Sequence, residues 1–328
     1  MNKIEFPREG YDGILRSREK IERWFFGEIN GGVDAELAAI DLDPQWTAVQ
    51  KDCAKLLRKH LPLILLAEPE CLDRIKKRIL RIYPNIFDNK AKGSFQKRIL
   101  KAFGYKSYRK DVLVTLAKRL NIRCCPYCNA QYTLFIDKRV NGSYPKGVAK
   151  FQFDHFYNKS DAPFLSMSLY NLIPACASCN LSKHAGDMSV ELNPYVSDIA
   201  SLFSFRAKDP IRLWQGARRI DAEEIIMVPR SRQVAGLVNE LRDKLFLDKV
   251  FGRFRDVAQG EFDKVYLYPY YSQPENFEML RRMGFDEAIF KRLWFENSLE
   301  KEDIEKRPLN KFKQDIREQA CGLLGRKI

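Results

Sequence analysis

The sequence lacks the features of a membrane protein, a secreted protein or a nucleotide-driven motor. Its longest apolar run, Leu61 to Ala67, is far shorter than the roughly 20 residues needed to cross a bilayer. The opening residues, MNKIEFPREGYDG, lack the apolar centre of a secretory signal. There is no glycine-rich phosphate loop, internal repeat or low-complexity tract. These absences predict a cytoplasmic globular protein that does not bind membranes and does not power itself with a nucleotide.

Histidine is scarce: the 328 residues include three, His60, His155 and His184. Two of them lie in one stretch, Cys125 to His184. His60 ends a predicted helix, and we interpret it as a surface or capping residue. Any histidine chemistry is therefore expected within the Cys125–His184 stretch.

Acidic residues are nearly absent from residues 74–123, which contain 16 basic side chains and two acidic ones, Asp88 and Asp111. The net charge of this block, +14, equals that of the whole chain. A basic block beside a candidate active site predicts a polyanionic partner. The alternative is a solvated, lysine-rich helical surface. We predict nucleic-acid contacts, most simply to DNA, for five residues of the block: Lys97, Arg98, Lys101, Arg109 and Lys110.

Apolar periodicity predicts helices on both sides of a central strand-containing stretch. The expected N-terminal helices cover Ser17–Phe26 (ended by Gly31-Gly32), Pro44–Lys59, Glu68–Ile82, a segment capped by Ser94 and one capped by Ser107. After Pro194, helices are expected from Ser231, over Asn276–Phe295 and over Lys311–Leu323. The run Tyr266–Tyr271, which contains Pro269, is expected to be a connector.

The central stretch has a different pattern. Strands are predicted at Tyr132–Asp137, Lys150–Asp154 and Leu172–Pro174, with a hairpin turn at Asn141-Gly142. A helix is then expected from about Ser178 through His184. The expected class is therefore α+β and mostly helical. Three regions are predicted: helical residues 1–123, a core at 124–194 and helical residues 195–328.

Four of the eight cysteines form two C-x-x-C pairs: Cys125 with Cys128, and Cys176 with Cys179. Each pair presents two thiolates from one turn, and two such turns complete a four-sulfur zinc site. A site closed in this way has no position for water, so the predicted zinc is structural. The remaining four cysteines are interpreted as free thiols.

A second set of polar residues lies between and after the cysteine pairs. Asp154 and His155 are adjacent at a predicted strand end, and Asn180 and His184 are one helical turn apart. Carboxylate, amide and imidazole ligands suit Mg²⁺ or Mn²⁺ at an open site. Taken singly, each residue is more simply a surface polar group; taken together, they predict a catalytic metal site.

The order CPYC, DH, the asparagine of YNLIP, and CASCN followed by Lys183 and His184 resembles the HNH (ββα-metal) endonucleases with a zinc-bound frame. The resemblance covers about a fifth of the chain, from Cys125 to Asn193. It implies a small ββα-metal core with a four-cysteine zinc site, embedded between helical N- and C-terminal regions.

The resemblance also implies roles for individual residues. Asp154 would bind the catalytic ion, His155 would be the general base, and Asn171 would orient the imidazole through its side-chain oxygen. Asn180 would be a further metal ligand, as would His184, which many members of the family lack. Lys159 or Lys183 would hold a phosphate. The implied reaction is hydrolysis of a phosphodiester to 5′-phosphate and 3′-hydroxyl ends.

In outline the chain resembles the HNH subunits that pair with an ATPase in Septu-type and retron-type systems. That resemblance implies an anti-phage defence or restriction effector controlled by a partner ATPase or sensor protein. The alternative from another class is a non-catalytic zinc ribbon that binds nucleic acid or protein. That alternative explains the cysteines and the basic block. It leaves unexplained the order of the other polar residues, which are Asp154, His155, Asn171, Asn180 and His184.

Overall fold

The computed structural model describes residues 3–140, 143–183, 186–214, 225–284, 286–296 and 298–326. The chain is 57% helical, with a few small antiparallel strand pairs, which confirms the α+β, mostly helical class. Two compact units are present. The first consists of Lys3–Ile122 with Thr133–Ser197, and the second of Arg123–Tyr132 with residues from Asp198 onward. The three predicted regions stay a prediction.

The first unit opens with a short strand pair and a series of helices. The strands are β1 (Arg8–Glu9) and β2 (Leu15–Arg16). The helices are α1 (Arg18–Leu42), α2 (Ala48–Lys59), α3 (Leu61–Leu66), α4 (Pro69–Ile82), α5 (Phe95–Ala102), α6 (Tyr105–Tyr108) and α7 (Val112–Leu120). Helix α1 contacts α2, α3, α5 and α7, so it forms the centre of this helical layer.

Helix α1 continues through Gly31-Gly32, where we predicted a break. An apolar stripe runs along its whole length and is buried from Ile21 to Ile40. Burial of such a stripe outweighs the roughly 1 kcal/mol by which each glycine disfavours a helix. Gly32 also faces the Tyr108 hydroxyl so closely that a Cβ at this position would collide with it.

The other N-terminal helices follow their predicted patterns more closely. The Ser94 hydroxyl accepts a hydrogen bond from the Lys97 backbone N–H at 3.4 Å and caps α5 as expected. Thr47 and Gln50 form a capping box at the start of α2. The segment after Ser107 differs, since α7 begins at Val112 and α6 precedes it.

Four further strands of the first unit are followed by one short helix. The strands are β3 (Phe135–Val140), β4 (Ser143–Ala149), β5 (Gln152–His155) and β6 (Leu172–Ala175). Strand β3 pairs antiparallel with β4, and β5 pairs antiparallel with β6. Helix α8 (Ala177–Ser182) begins two residues after β6 and contacts β5. The predicted Asn141-Gly142 turn lies outside the described residues.

The second unit combines a strand pair with further helices. The strands are β7 (Phe203–Ala207) and β8 (Ile225–Pro229). The helices are α9 (Pro210–Trp214), α10 (Ala235–Leu245), α11 (Leu247–Phe251), α12 (Arg255–Tyr271), α13 (Pro274–Arg282), α14 (Glu287–Trp294) and α15 (Asn310–Leu324). Helix α15 contacts α12 and β7, and the fully buried rings of Phe205, Phe251 and Phe312 pack together there.

The predicted connector Tyr266–Tyr271 instead forms the C-terminal part of α12. Pro269 lies inside the helix, close to its C-terminal end. Tyr268 packs its ring against Phe295 and Trp294, and this aromatic burial offsets the loss of a backbone hydrogen bond at the proline. A bilayer-crossing helix requires length and apolarity together, and within the described residues no helix has both.

Candidate functional site

Strands β5 and β6 and helix α8 bring the central polar residues together. In the β5–β6 pair, Asp154 lies opposite Ile173 and His155 lies opposite Leu172. Asn180 lies on α8. The strand, loop, strand and helix therefore follow each other in the predicted order, and all three polar residues come from adjoining elements.

The four C-x-x-C cysteines form one buried cluster. The sulfur atoms of Cys125, Cys128, Cys176 and Cys179 all lie within 4.8 Å of one another. Four thiolates around one zinc ion at about 2.3 Å would be about 3.8 Å apart, so a small contraction accommodates the metal. None of the eight cysteines forms a disulfide. The predicted grouping is confirmed, and the cluster could hold a structural ion such as zinc.

Backbone groups at the two cysteine turns point toward sulfur, as metal-bound thiolates require. The Cys179 N–H approaches Cys176 Sγ at 3.4 Å, and the Ala130 N–H approaches Cys128 Sγ at 3.3 Å. Such donors stabilise negative charge on sulfur. The local geometry at both turns therefore fits thiolate ligands.

Asn129, which we did not predict, fixes the first cysteine turn. It is fully buried, its φ is 54°, and its N–H donates to the Cys125 carbonyl at 2.8 Å. Its side-chain amide donates to the Ile304 carbonyl, and its side-chain oxygen accepts from the Lys311 N–H at 3.0 Å. Asparagine tolerates the left-handed region, so an asparagine directly after a C-x-x-C was the available sequence signal.

Lys183 forms a buried ion pair with Asp154. Its side chain is 3% exposed, and Nζ lies 2.8 Å from Asp154 Oδ2, 2.7 Å from the His155 carbonyl oxygen and 2.9 Å from the Phe156 carbonyl oxygen. These three oxygen partners satisfy the three donors of an ammonium. The sequence predicts that Lys159 or Lys183 holds a phosphate; in the structure Lys183 binds Asp154 and the backbone oxygens of His155 and Phe156.

We expect Lys183→Met to lower the free energy of unfolding by about 3–5 kcal/mol, because it leaves the Asp154 carboxylate buried without its cation. The double variant Asp154→Asn/Lys183→Met should lose less than the sum of the two single variants. Urea unfolding at pH 7 measures all three, with Lys101→Met, a change at an exposed lysine, as the matched control. Equal stabilities of Lys183→Met and the control would contradict the role of the ion pair.

His155 is buried and held as a neutral imidazole of one tautomer. Its Nε2 lies 3.0 Å from the Ser166 carbonyl oxygen, which only accepts hydrogen bonds. Nε2 therefore carries the proton, and the neutral ring has its lone pair on Nδ1. Burial lowers the pKa of His155 from 6.5 to about 3, with Lys159 and Lys183 acting in the same direction and the Ser166 hydrogen bond opposing them. At neutral pH the ring is therefore neutral, and Nδ1 is its hydrogen-bond acceptor.

We expect this buried histidine to make the fold sensitive to acid. Between pH 6.5 and 3 the unfolded chain binds a proton that the folded His155 excludes, so stability falls as the pH falls through that window. The contribution lost between pH 7 and pH 5 is about 2 kcal/mol. Unfolding of the wild type and of His155→Gln should be compared at both pH values without added divalent metal. Any release of zinc at pH 5 affects both proteins and cancels when their losses of stability are compared. Equal losses of stability in the wild type and in His155→Gln would contradict the prediction.

Asn171 acts on the backbone around His155. Its Oδ1 accepts from the Tyr157 N–H at 2.7 Å, and its Nδ2 donates to the Leu165 carbonyl at 2.8 Å and the Tyr157 carbonyl at 3.2 Å. We predicted direct orientation of the imidazole by the side-chain oxygen. In the structure that oxygen is bonded to the Tyr157 N–H. Asn171 thus fixes the backbone next to Ser166, whose carbonyl binds the His155 ring.

Asp154, His155 and Asn180 line one open pocket of about 270 Å³, which we call the β5 pocket. Asn180 Nδ2 donates to Gln152 Oε1, which leaves the amide oxygen of Asn180 as its acceptor atom. Gln152 and Asp154 are two residues apart on β5 and so share a strand face. Sequence analysis missed Gln152, although this two-residue spacing was visible.

The lining of the β5 pocket also contains basic and aromatic residues. These residues include Lys159, Arg109 and Tyr105. The Tyr105 ring packs edge-on against His155 with centroids 4.5 Å apart, and Lys159 Nζ lies 4.5 Å from the Tyr105 centroid. Burial lowers the pKa of Lys159, and Arg109 and Lys106 act in the same direction while Asp154 opposes them. This excess of positive charge favours an anion in the pocket.

The remaining predicted contacts of the basic block have different surroundings. Lys97, Lys101 and Lys110 are exposed. Arg98 is half-buried, with its guanidinium 2.8 Å from Glu36 Oε2 and 2.9 Å from the Glu36 carbonyl oxygen. Arg98 stays a predicted nucleic-acid contact, and in the structure its guanidinium also binds Glu36.

His184, the second predicted histidine ligand, lies outside the described residues. The structure thus brings five residues together as lining of the β5 pocket: Asp154, His155, Asn180, Lys159 and Arg109. Asn171 and Lys183 instead bind the backbone around His155, and Lys183 also binds Asp154. Comparison of the chain with protein-family models, with curated proteins and with solved structures found no match.

Proposed function

We propose that the chain is a metal-dependent endonuclease of the HNH type that hydrolyses phosphodiester bonds of DNA. The observation that supports this most is that Asp154, His155 and Asn180 line one pocket together with the cationic Lys159 and Arg109. These residues are those that the resemblance to HNH endonucleases assigns to metal binding and to the general base.

The donors at the β5 pocket fit a hydrated divalent ion. Asp154 and Asn180 offer a carboxylate and an amide oxygen, and Mg²⁺ is commonly bound by one or two carboxylates together with waters and substrate phosphate. The ion pair with Lys183 engages Oδ2 of Asp154, and a carboxylate can accept at both of its oxygens. Asp154 and Asn180 would therefore hold Mg²⁺ or Mn²⁺, with His184 as the further predicted ligand.

His155 would remove the proton from the attacking water. Its neutral ring has Nδ1 as the acceptor, because Nε2 donates to Ser166. A base is most effective when its pKa is near the working pH. The negative charge of a bound phosphodiester would offset the effect of Lys159 and Lys183 and raise the pKa of His155 from its low value in the free protein.

Lys159 and Arg109 would bind and orient the phosphodiester. Both line the pocket beside His155, and neither side chain forms an ion pair with a described residue. When bound, the divalent ion supplies a positive charge that offsets the charge developing on the phosphate and on the departing 3′ oxygen. The predicted products carry 5′-phosphate and 3′-hydroxyl ends.

We expect the purified chain to nick or linearise supercoiled plasmid with Mg²⁺ or Mn²⁺ and to leave it intact with EDTA, because EDTA removes the positive charge that the divalent ion would supply at the phosphate. Gel analysis follows the products, and end-labelling identifies the 5′-phosphate. Zinc content is measured in every sample, since EDTA that strips the cysteine cluster would stop cleavage for another reason. DNA binding without cleavage under all metal conditions would favour the non-catalytic zinc-ribbon function.

A role as an anti-phage defence or restriction effector, controlled by a partner ATPase or sensor protein, is a further proposal. It rests on the outline resemblance to HNH subunits of Septu-type and retron-type systems. Purification of the chain from its native operon tests it, and recovery of the chain without an ATPase or sensor would contradict it.

A further inference from the structure

A second pocket, of about 550 Å³, lies within the second unit. Its lining includes three apolar residues of β8, the buried Ile225 and Met227 and the half-buried Ile226. Its exposed rim carries Lys208, which follows β7, and Lys249 of α11 and Arg253 just after it. The volume is in the range of pockets that bind small molecules, about 300–1,000 Å³. The nuclease proposal assigns no role to this pocket.

Arg242 of α10 is held in place at the wall of this pocket. Its Nη2 donates to the Met227 carbonyl at 3.2 Å, and its Nη1 donates to Asn239 Oδ1 at 3.2 Å. Its Nε lies 3.9 Å from Asp248 Oδ2. An arginine fixed by such contacts loses little side-chain entropy when an anion binds.

The charges around the pocket are unequal. Among the described lining residues, four side chains are cationic, Lys208, Arg242, Lys249 and Arg253, and one, Asp248, is acidic. Asp248 is the partner of Arg242. Three cations on the rim therefore have no acidic counterpart among the described lining residues, and the pocket favours a ligand with several negative charges.

We propose that this pocket binds a phosphorylated nucleoside, either as a free nucleotide or as the 5′-phosphorylated end of an oligonucleotide. The cationic rim and Arg242 match the phosphates, since arginine and lysine are the usual phosphate donors. The apolar lining residues Ile225, Ile226 and Met227 match the uncharged nucleoside part, which inorganic phosphate lacks. The pocket volume accommodates both parts together.

The test uses calorimetric titration of the full chain with ATP as the probe, at fixed salt and without added divalent metal. We expect one ATP site per chain. The double variant Lys208→Gln/Arg253→Gln should weaken ATP binding at least tenfold, because it removes two exposed rim cations and leaves the apolar lining residues unchanged. Arg292→Gln, which changes an exposed arginine on α14, is the matched control and should leave the affinity unchanged.

Further ligands and a second double variant separate the remaining possibilities. Tripolyphosphate carries phosphates without a nucleoside and should bind at least tenfold more weakly than ATP; equal affinity would overturn the proposal. A 5′-phosphorylated hexanucleotide that binds more tightly than ATP, and loses that affinity in Lys208→Gln/Arg253→Gln, would identify the oligonucleotide end as the ligand. Loss of ATP binding in Arg109→Gln/Lys159→Gln would place the nucleotide in the β5 pocket and overturn the proposal, as would the absence of binding.

Discussion

His155→Ala should lower the rate of plasmid cleavage by about 10²–10⁴-fold, the range that a general base contributes. The variant removes the one imidazole that lines the β5 pocket among the described residues. Binding of DNA should change little, because Lys159, Arg109 and the exposed lysines of the basic block are untouched. Single-turnover cleavage rates and binding affinity are measured on the same preparation.

The matched control is His60→Ala, which removes an exposed histidine at the junction of α2 and α3. It should cleave at the wild-type rate. Adding free imidazole to His155→Ala provides a second check, because a small base entering the vacated space should restore part of the rate. If His155→Ala cleaved plasmid at the same rate as His60→Ala, the result would contradict the role of His155 as the general base.

Replacement of a cluster cysteine should have the largest effect on the fold. Cys176→Ser removes one of four sulfur ligands, and structural zinc contributes on the order of 10 kcal/mol to folding in zinc-finger peptides. That is comparable with the whole stability of a typical protein, about 5–15 kcal/mol. We expect the wild type to hold one zinc per chain and the variant to lose the metal and unfold or aggregate when warmed.

Elemental analysis and thermal unfolding measure this effect, with Cys321→Ser as the control. Cys321 is half-buried on α15 and lies outside the cluster. The control should keep its zinc and most of its stability. A wild-type chain that contains no metal after purification under reducing conditions would refute the zinc assignment.

Local patterns in the sequence predicted several elements of the fold. The helices at Pro69–Ile82 and Phe95–Ala102 have a clear apolar stripe together with a proline or serine at the start, and both were predicted. Helix α1 was predicted too short because glycine preference is a local signal, whereas its stripe is buried by α2, α3, α5 and α7. The same limit applies to Pro269, whose neighbour Tyr268 is stabilised by rings on a later part of the chain.

The candidate site was predictable where spacing determines proximity. The two thiolates of each C-x-x-C pair lie close together because they share one turn. Two such pairs indicated one cluster because a structural zinc ion takes four ligands. The environments of Lys183 and Arg98 were not predictable. A sequence shows that a side chain is cationic, but it does not show that the fold brings Asp154 next to Lys183 or Glu36 next to Arg98. The partners of Asn171 were not predictable either, because its amide reaches backbone atoms that only the fold identifies.

The hydrogen bonds of Asn129 limit how short a fragment of the chain can be if it is to keep the Cys125–Cys128 turn folded. Its amide and its carbonyl are bonded to residues between Ile304 and Lys311, far along the chain. A fragment ending near residue 194 would contain all four sulfur ligands yet leave a fully buried polar side chain without its partners. The minimum length of polypeptide that can present Cys125 and Cys128 correctly therefore extends to the start of α15.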